Sequence, residues 1–317
     1  MYNILLTGSS GFIGSRLNEI LKKKKFEVKY FNSHDNYKKY DENIKFNSRE
    51  IKSNTSWHGL FKNIDCVIHC AGISEIKKNY QSNLRLFKVI NVDLTIDLAE
   101  QAALTGVKRF IFLSSIKVNG EKTKKNSAFK FDDNPSPQDA YAISKWKAEK
   151  SLKEISKKTG LEIVIIRPPL VYGPGVKGNF LNILQLAKLG IPLPLGKIEN
   201  YRSFLALDNL VDLIICCIAH PRAAGKTFLA SDCDDISFKD LLKILSNLMN
   251  KNVYLFPFPI CLLKLIFFIM GKSSQMERLF NSLQVDTSYT CQQLRWKPEK
   301  TMSSELKKTA EWYLKRQ

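Results

Sequence analysis

The stretch Asn3-Ile4-Leu5-Leu6-Thr7-Gly8-Ser9-Ser10-Gly11-Phe12-Ile13-Gly14 decides the fold. It begins with a short apolar run, which is typical of a buried β-strand. Three glycines then come at three-residue spacing, and a helical apolar pattern continues beyond them. A glycine turn between a strand and a helix lets a pyrophosphate approach the free N–H groups at the helix N-terminus. The stretch therefore predicts the first βα unit of a dinucleotide-binding domain, with a tight turn that binds no ligand as the alternative.

The first half of the chain continues this alternation. Apolar runs predict strands at residues 4–7, 27–31, 66–69, 110–113 and 163–166, and longer periodic stretches predict helices at 14–23, 82–104 and 140–158. Alternating strands and helices predict an α/β fold with a Rossmann-type, doubly wound parallel sheet. Glycine and proline become frequent after Arg167. We therefore expect a dinucleotide-binding domain over residues 1–173 and a smaller C-terminal substrate-binding domain over 174–317, with segments returning to the sheet.

Tyr141 and Lys145 lie four residues apart in a segment without helix breakers, so on a helix their side chains share one face. A phenol with an ordinary pKa of about 10 is a poor proton carrier near neutral pH. A neighbouring ammonium favours the phenolate and can lower that pKa by about 1–3 units. The pair is a candidate general acid and base for oxidising a carbinol or reducing a ketone. The same spacing also arises by chance on many helices.

Seven short motifs in sequence order carry a family resemblance. They are Gly8-Ser-Ser-Gly-Phe-Ile-Gly14, His69-Cys-Ala-Gly72, Asn91-Val-Asp-Leu-Thr95, Phe112-Leu-Ser-Ser115, Tyr141-Ala-Ile-Ser-Lys145, Arg167-Pro-Pro-Leu-Val-Tyr-Gly-Pro174 and Arg202-Ser-Phe204. With these motifs the chain resembles the extended short-chain dehydrogenase/reductases, in particular the NAD-dependent nucleotide-sugar epimerase/dehydratase group. Residues 114–120 and 168–180 are similar to a subgroup of lipopolysaccharide O-antigen biosynthesis. That subgroup contains UDP-N-acetylquinovosamine dehydrogenases, which are 4-keto reductases, and UDP-hexose 4-epimerases.

The resemblance implies a set of site residues. Tyr141 would exchange the proton of the substrate hydroxyl, Lys145 would hold the nicotinamide ribose and lower the Tyr141 pKa, and Ser115 would hydrogen-bond the same oxygen. The implied cofactor-binding residues are Gly8, Gly11, Phe12, Ile13, Gly14, Asn32, Ala71, Gly72, Asn91, Ser114, Tyr141, Lys145 and Pro168. The implied substrate-binding residues are Ser115, Asn179, Phe180, Arg202 and Arg278. A structural role for Asn91 and surface ion pairs for the two arginines are the alternatives.

The cofactor expected from the resemblance is NAD, and NADP is not excluded. The second strand of NAD-specific members ends in an aspartate that binds the adenosine ribose. Here Asn32 and Ser33 come after that strand. The absence of the aspartate removes a negative charge that would repel the 2′-phosphate of NADP, but neither residue supplies the guanidinium that would bind it.

The two residues directly after Ser115 limit which reactions of this family the chain can perform. The 4,6-dehydratases of this family carry Asp-Glu there, whereas this chain has Ile116 and Lys117, which excludes that reaction. Two interpretations at C4 stay open. One is reduction of a UDP-4-keto-6-deoxy-2-acetamido-hexose, of the UDP-N-acetylquinovosamine type, which the similarity to the subgroup favours; the other is 4-epimerisation of UDP-GlcNAc or UDP-glucose. In the 4-epimerases that the chain resembles, a residue at the position of Leu283, close before Asp286, limits the size of the C2 substituent. Glucose-only enzymes carry a tyrosine there, so the resemblance implies that Leu283 leaves room for an N-acetyl group. A cofactor-sensing regulator is a third, minor alternative.

Composition limits the remaining classes. The net charge of +19 invites a nucleic-acid interpretation, but arginine accounts for only ten of the 49 basic residues, and the lysines are widely spread. We expect a lysine-rich surface that attracts anionic substrates and no nucleic-acid partner. The seven cysteines include no CxxC, and the four histidines lack metal-ligand spacing, so we expect reduced thiols and no metal site.

The longest apolar stretch, residues 253–270, contains Pro257, Pro259 and Lys264. It is too interrupted for a membrane span of about 20 apolar residues, so a buried or capping helix is expected, with a membrane- or partner-touching face as the alternative. The N-terminus shows no basic, signal-like region. A cytoplasmic enzyme is therefore expected, and the family resemblance implies a homodimer through the helices predicted at 82–104 and 140–158.

Overall fold

The computed structural model describes residues 2–31, 59–74, 80–124, 127–269 and 279–316. In these residues a six-stranded sheet has the order β2-β1-β3-β4-β5-β8, and every neighbouring pair is parallel. Its strands are β1 (Asn3–Thr7), β2 (Glu27–Phe31), β3 (Cys66–His69), β4 (Arg109–Leu113), β5 (Glu162–Arg167) and β8 (Thr227–Leu229). The predicted Rossmann-type sheet is confirmed, and the five predicted strands agree with the structure to within one residue at each end.

The helices and a second, smaller sheet complete the fold. The helices are α1 (Phe12–Lys23), α2 (Tyr80–Phe87), α3 (Leu94–Leu104), α4 (Ala140–Thr159), α5 (Gly178–Leu189), α6 (Leu207–Ala219), α7 (Phe238–Leu248), α8 (Ile260–Ile269), α9 (Ser288–Leu294) and α10 (Met302–Lys315). Strands β6 (Leu170–Tyr172) and β7 (Phe204–Ala206) pair in parallel as a separate two-stranded sheet.

Helices cover both faces of the large sheet because side chains alternate along each strand. On β1, Ile4 and Leu6 pack in one core with α1 and α6, whereas Leu5 packs in the opposite core with α3 and α4. Strands that are buried on both faces consist almost entirely of apolar residues, which is why continuous apolar runs located them in the sequence. This arrangement brings the carboxyl ends of the parallel strands, where ligands bind in open α/β sheets, to one edge.

The predicted helix over residues 82–104 is instead interrupted. α2 and α3 are separated by a π-helical segment, Lys88–Asp93. Asn91 lies in this segment, and its side chain bonds both the N–H and the carbonyl of Ile73 at 3.0 Å. Single π-helical turns are often found at functional sites. Here the segment anchors the chain that continues from β3.

The chain beyond β6 contributes to two cores. Helices α5, α7 and α10 pack with β6 and β7 around a separate apolar cluster centred on Phe180 and Phe204. In contrast, α6 packs against α1, and β8 pairs with β5. Segments after residue 173 therefore extend the large sheet, and the domain boundary at that residue stays a prediction. Among the described residues, no helix has the length and apolar character needed to cross a membrane.

Candidate active site

The glycine turn between β1 and α1 depends on the absence of side chains. Gly8 has a φ of +71°, and a Cβ added there would lie 2.7 Å from the Ala71 nitrogen. A Cβ on Gly14 would lie 2.1 Å from the Gly8 carbonyl oxygen, so neither site admits a side chain without backbone movement. Gly11 caps α1 and donates its N–H to the Gly8 oxygen at 2.9 Å. No acidic residue occupies the first turn of α1, which leaves its N-terminus suited to an anion.

The two apolar residues of the glycine motif begin α1. Phe12 and Ile13 are both half-buried and pack at the edge of the sheet core. Phe12 also contacts the C-terminal cluster, and its ring would lie 3.6 Å from a Cβ at Gly175. Phe12 therefore connects the turn to the segment that comes after β6.

A buried chain of hydrogen bonds lies beneath this turn. The Ala71 N–H donates to Thr7 Oγ1 at 3.3 Å, and Thr7 Oγ1 lies 2.7 Å from His69 Nδ1. His69 Nε2 lies 2.9 Å from Thr95 Oγ1, which itself donates to the Asn91 carbonyl at 2.9 Å. This last bond assigns the Nε2–H tautomer, with Nδ1 accepting from Thr7. Burial lowers the pKa of His69 to about 3, so the ring is neutral and structural.

Asn91 extends this chain to the catalytic helix. Its side-chain nitrogen donates to Ser144 Oγ at 3.0 Å, and Ser144 Oγ donates to the Tyr141 carbonyl at 2.7 Å. A Cβ on Gly72 would lie 3.1 Å from Asn91 Oδ1 and 3.2 Å from Lys145 Nζ. Asn91 thus holds the loop after β3 against α4, and a contact of Asn91 with the cofactor stays a prediction. Ala71 and Gly72 lie in that loop.

Tyr141 and Ser115 come together from two elements. Tyr141 is the second residue of α4, whose N-cap Asp139 accepts the Ala142 N–H at 2.7 Å, and Ser115 lies just after β4. The Ser115 hydroxyl lies within hydrogen-bonding reach of the Tyr141 phenol. Burial raises the pKa of Tyr141 to about 12, the Ser115 hydrogen bond acts to lower it, and the charge of Asp139 raises it further. A hydroxyl that lowers a phenol pKa does so by donating to the phenolate.

Lys145 lies one turn further along α4 and is buried. Its Nζ donates to the Leu113 carbonyl at 2.9 Å and lies 4.6 Å from the centroid of the Phe112 ring. Burial lowers the pKa of Lys145 to about 8. The expectation that Lys145 lowers the Tyr141 pKa is not met, because the ammonium is directed to the end of β4 and burial of the phenol dominates its pKa.

Ser114 is buried and hydrogen-bonded within the protein. Its hydroxyl donates to Glu149 Oε1 at 2.5 Å, and Glu149 pairs with Arg167 at 2.5 Å in a fully buried ion pair. The Ser114 side chain therefore helps to join β4 to α4 and β5, and its contact with a cofactor stays a prediction. Pro168 lies directly after β5 and is buried, and its carbonyl accepts the Ile116 N–H at 2.9 Å.

Lys117 lies next to the candidate active site, although the sequence motifs drew attention to it only because the 4,6-dehydratases carry a glutamate at this position. Its ammonium forms ion pairs with Asp139, the N-cap of α4, and with Glu121 at 3.0 Å. It thereby fixes the start of the helix that carries Tyr141. Two features of the sequence could have indicated this role: the four-residue spacing of Lys117 and Glu121, and the helix-capping aspartate in Asp139-Ala140-Tyr141.

The predicted substrate residues differ in accessibility. Asn179, in the first turn of α5, and Arg202 are half-buried, and Arg202 Nη1 donates to the Asn281 carbonyl at 2.9 Å. Phe180 is fully buried between Tyr172 and Phe204, with ring centroids at 5.3 Å and 6.1 Å. A side-chain contact of Phe180 with substrate is thus excluded, because the ring is part of the core. Asn32 and Arg278 lie outside the described residues.

Comparison with known proteins places this geometry in a family. A family model described as the NAD dependent epimerase/dehydratase family matches residues 4–230. A UDP-glucose 4-epimerase of Vibrio cholerae is 43% identical over 98% of this chain and 95% of its own length. An Escherichia coli O157:H7 relative, an N-acetyl-α-D-glucosaminyl-diphospho-ditrans,octacis-undecaprenol 4-epimerase, is 28% identical over 79% of this chain and 73% of its own length.

Solved structures share the fold. UDP-glucuronic acid 4-epimerase from Bacillus cereus, in complex with NAD, superimposes with a TM-score of 0.76, 21% identity and 99% coverage of both chains. UDP-glucose 4-epimerase from Thermotoga maritima, with UDP-glucose, gives a TM-score of 0.75, 22% identity and 99% coverage of both chains. The chain is an enzyme of the NAD-dependent epimerase/dehydratase family, with the extended short-chain dehydrogenase/reductase fold.

Proposed function

We propose that this enzyme is a 4-epimerase of a UDP-hexose, with NAD as cofactor. The observation that carries the proposal is that the Ser115 hydroxyl lies within hydrogen-bonding reach of the Tyr141 phenol, because the two can act together on one sugar oxygen. The preference for epimerisation over the 4-keto reduction favoured by the motifs rests on the 43% identity to the Vibrio cholerae UDP-glucose 4-epimerase.

The cofactor site is supported by the shape of the turn. Gly8 and Gly14 allow the close backbone packing of the turn that leads into α1, and Gly72 places no side chain in the space beside Lys145 Nζ. These residues fit a dinucleotide with its pyrophosphate at α1, and Lys145 would hold the nicotinamide ribose. When bound, the oxidised nicotinamide accepts hydride from C4, returns it, and adds a positive charge that favours the Tyr141 phenolate.

The protein's own residues would move the proton. The Tyr141 phenolate takes the proton from the C4 hydroxyl as the C4–H bond breaks, which leaves a 4-keto sugar and a neutral phenol. The Ser115 hydroxyl donates to the same sugar oxygen and stabilises its developing charge. After the keto sugar turns over, the phenol returns its proton as hydride adds to the opposite face of C4. Substrate oxidation and reduction cancel, so no net cofactor is consumed.

The UDP portion would bind where the C-terminal segments meet the site. The half-buried Asn179 amide in the first turn of α5 and the Arg202 guanidinium are the proposed diphosphate contacts, with Arg202 oriented by the Asn281 carbonyl. Leu283 contributes a modest side chain beside Arg202, to which it is joined by an isolated β-bridge. Because leucine is smaller than the tyrosine of glucose-only enzymes, Leu283 supports a substrate with an N-acetyl group at C2.

A homodimer and a cytoplasmic setting are part of the proposal. The apolar side chains of Leu86 and Ile143 are 43% and 38% exposed on α2 and α4. These helices are the elements through which the family resemblance implies dimerisation. Equilibrium sedimentation of the protein and of Ile143→Asp tests the dimer, which we expect the substitution to weaken.

Incubation of the pure protein with UDP-glucose, UDP-GlcNAc, UDP-GalNAc and a UDP-4-keto sugar, each with NAD(H) or NADP(H), tests the function. We expect interconversion of C4 epimers without net cofactor consumption and with NAD preferred. Stoichiometric oxidation of reduced cofactor by the keto sugar would identify the reductase instead. Tyr141→Phe is the matched control, since it keeps the ring and removes the proton carrier.

A further inference from the structure

Helix α8 presents its apolar side chains outward. Among its described side chains, Leu263 is buried, whereas Leu262, Leu265, Phe268 and Ile269 are 48%, 53%, 71% and 75% exposed. A helix on the surface of a globular protein normally directs polar residues to solvent. Large exposed apolar surfaces mark binding sites for proteins or membranes.

Neighbouring segments extend this apolar surface. Tyr254, Leu189 and Ile191 are 67%, 61% and 45% exposed. Leu193, close after Ile191, bonds the Tyr254 carbonyl and the Phe256 N–H at 2.8 and 3.0 Å. The rings of Tyr254, Phe256 and Phe258 succeed one another at centroid distances of 6.4 Å, leading towards the start of α8. We call these exposed side chains and those of α8 the α8 surface.

The charge of the two segments that build the α8 surface has one sign. Residues 171–198 and 241–269 contain no aspartate or glutamate, and their charged residues are Lys177, Lys188, Lys197, Lys243, Lys251 and Lys264. Lys251 packs next to Gly190, where a Cβ would lie 3.4 Å from its own, and Lys264 lies on α8 itself. An apolar surface whose own two segments carry only cationic charges is complementary to an apolar partner with an anionic boundary.

The occupant that fits is an anionic phospholipid bilayer. A second copy of the chain packed on this surface with two-fold symmetry would bring like-charged lysines together, which opposes association. A bilayer accepts apolar side chains below its headgroups and attracts lysines electrostatically. A ten-residue helix is about 15 Å long, half the thickness of the hydrocarbon core. α8 would therefore lie in the plane of the interface.

We propose that the α8 surface binds the enzyme reversibly to anionic membranes. Leu262, Leu265, Phe268 and Ile269 enter the interface, and Lys251 and Lys264 contact lipid phosphates. This inference is independent of which C4 reaction the enzyme performs, because none of these residues belongs to the candidate active site.

Co-sedimentation of the full-length protein with phosphatidylcholine vesicles containing about a third phosphatidylglycerol tests the proposal. We expect binding to these vesicles, at least tenfold weaker binding to pure phosphatidylcholine, and release by high salt. Leu265→Asp/Phe268→Asp should reduce binding at least tenfold, whereas Leu104→Asp, at a 79% exposed site on α3, should not. Circular dichroism and active-site turnover verify that each variant folds.

Lysine-to-glutamate variants test the electrostatic part of the proposal in the same vesicle-binding assay. Lys251→Glu/Lys264→Glu should reduce vesicle binding at least tenfold, whereas Lys157→Glu/Lys158→Glu, near the end of α4, should change it less than threefold. Equal losses in the two lysine pairs, or unchanged binding in Leu265→Asp/Phe268→Asp, would overturn the proposal. So would the absence of vesicle binding together with an oligomer that dissociates in Leu265→Asp/Phe268→Asp.

Discussion

The Ser115 hydroxyl lies within hydrogen-bonding reach of the Tyr141 phenol, and this contact opposes the effect of burial on the phenol pKa. Burial raises the pKa of Tyr141 to about 12, whereas the hydroxyl favours the phenolate. Lys145 is directed instead at the Leu113 carbonyl. Within the protein, Ser115 is therefore the side chain that most directly assists proton release from Tyr141.

We expect Ser115→Ala to reduce kcat by about 10²-fold, the effect of losing one donor to a developing oxyanion. The acid limb of the kcat–pH profile should move to higher pH, because the phenol loses the donor that lowers its pKa. Ser115→Thr keeps the hydroxyl and should retain most of the activity. An alanine variant with full kcat and an unmoved acid limb would remove Ser115 from the mechanism.

His69 predicts a pH dependence of stability. Burial lowers its pKa to about 3 in the folded protein, against about 6.5 when unfolded. Between these two pKa values, only the unfolded chain binds a proton at His69. The stabilising contribution of the neutral His69 ring is therefore fully present above pH 6.5 and is lost as the pH falls towards 3. The free energy of unfolding should decline by about 1.4 kcal/mol per pH unit more steeply in the wild type than in His69→Gln.

Urea denaturation of both proteins at pH 7.5, 6.0 and 5.0 measures this difference, with shared carboxylate titrations cancelling between them. Parallel declines in the two proteins would show that the His69 ring is not held neutral by burial.

The buried Glu149–Arg167 pair predicts a strong asymmetry between single and double substitutions. Glu149→Gln leaves the Arg167 charge buried without its partner and should lower the free energy of unfolding by about 3–5 kcal/mol. Glu149→Gln/Arg167→Met removes the uncompensated charge and should recover more than half of that loss. Denaturant titration measures both, and a single substitution costing under about 1 kcal/mol would contradict the burial of this pair.

Sequence located the sheet well because its strands are continuous apolar runs and its first turn has three glycines at fixed spacing. It did not reveal the π-helical segment, since Asn91 bonds Ile73 across 18 residues and no local pattern records that contact. It also did not reveal that Tyr172 and Phe204 enclose the ring of Phe180, a residue that the family resemblance places near the substrate diphosphate and base. A motif specifies which residues occur near a site, but the direction of each side chain depends on tertiary packing.

The orientation of Lys145 illustrates the same limit. Four-residue spacing correctly placed it one turn from Tyr141 on α4, but the Leu113 carbonyl and the Phe112 ring determine where its ammonium lies. For residues 253–270 the sequence favoured a buried or capping helix and left an exposed apolar face as the alternative, because an apolar run does not indicate which of its residues remain uncovered.

The fate of the hydrogen on C4 tests the proposed epimerisation most directly. UDP-glucose carrying deuterium at C4 is incubated with the enzyme and oxidised cofactor in ordinary water, and the product is examined by mass spectrometry and NMR. Hydride removed and returned within one site predicts the C4 epimer with its deuterium still on C4, and no product from Tyr141→Phe. Loss of the label to water, or its accumulation in free reduced cofactor, would contradict the proposed epimerisation.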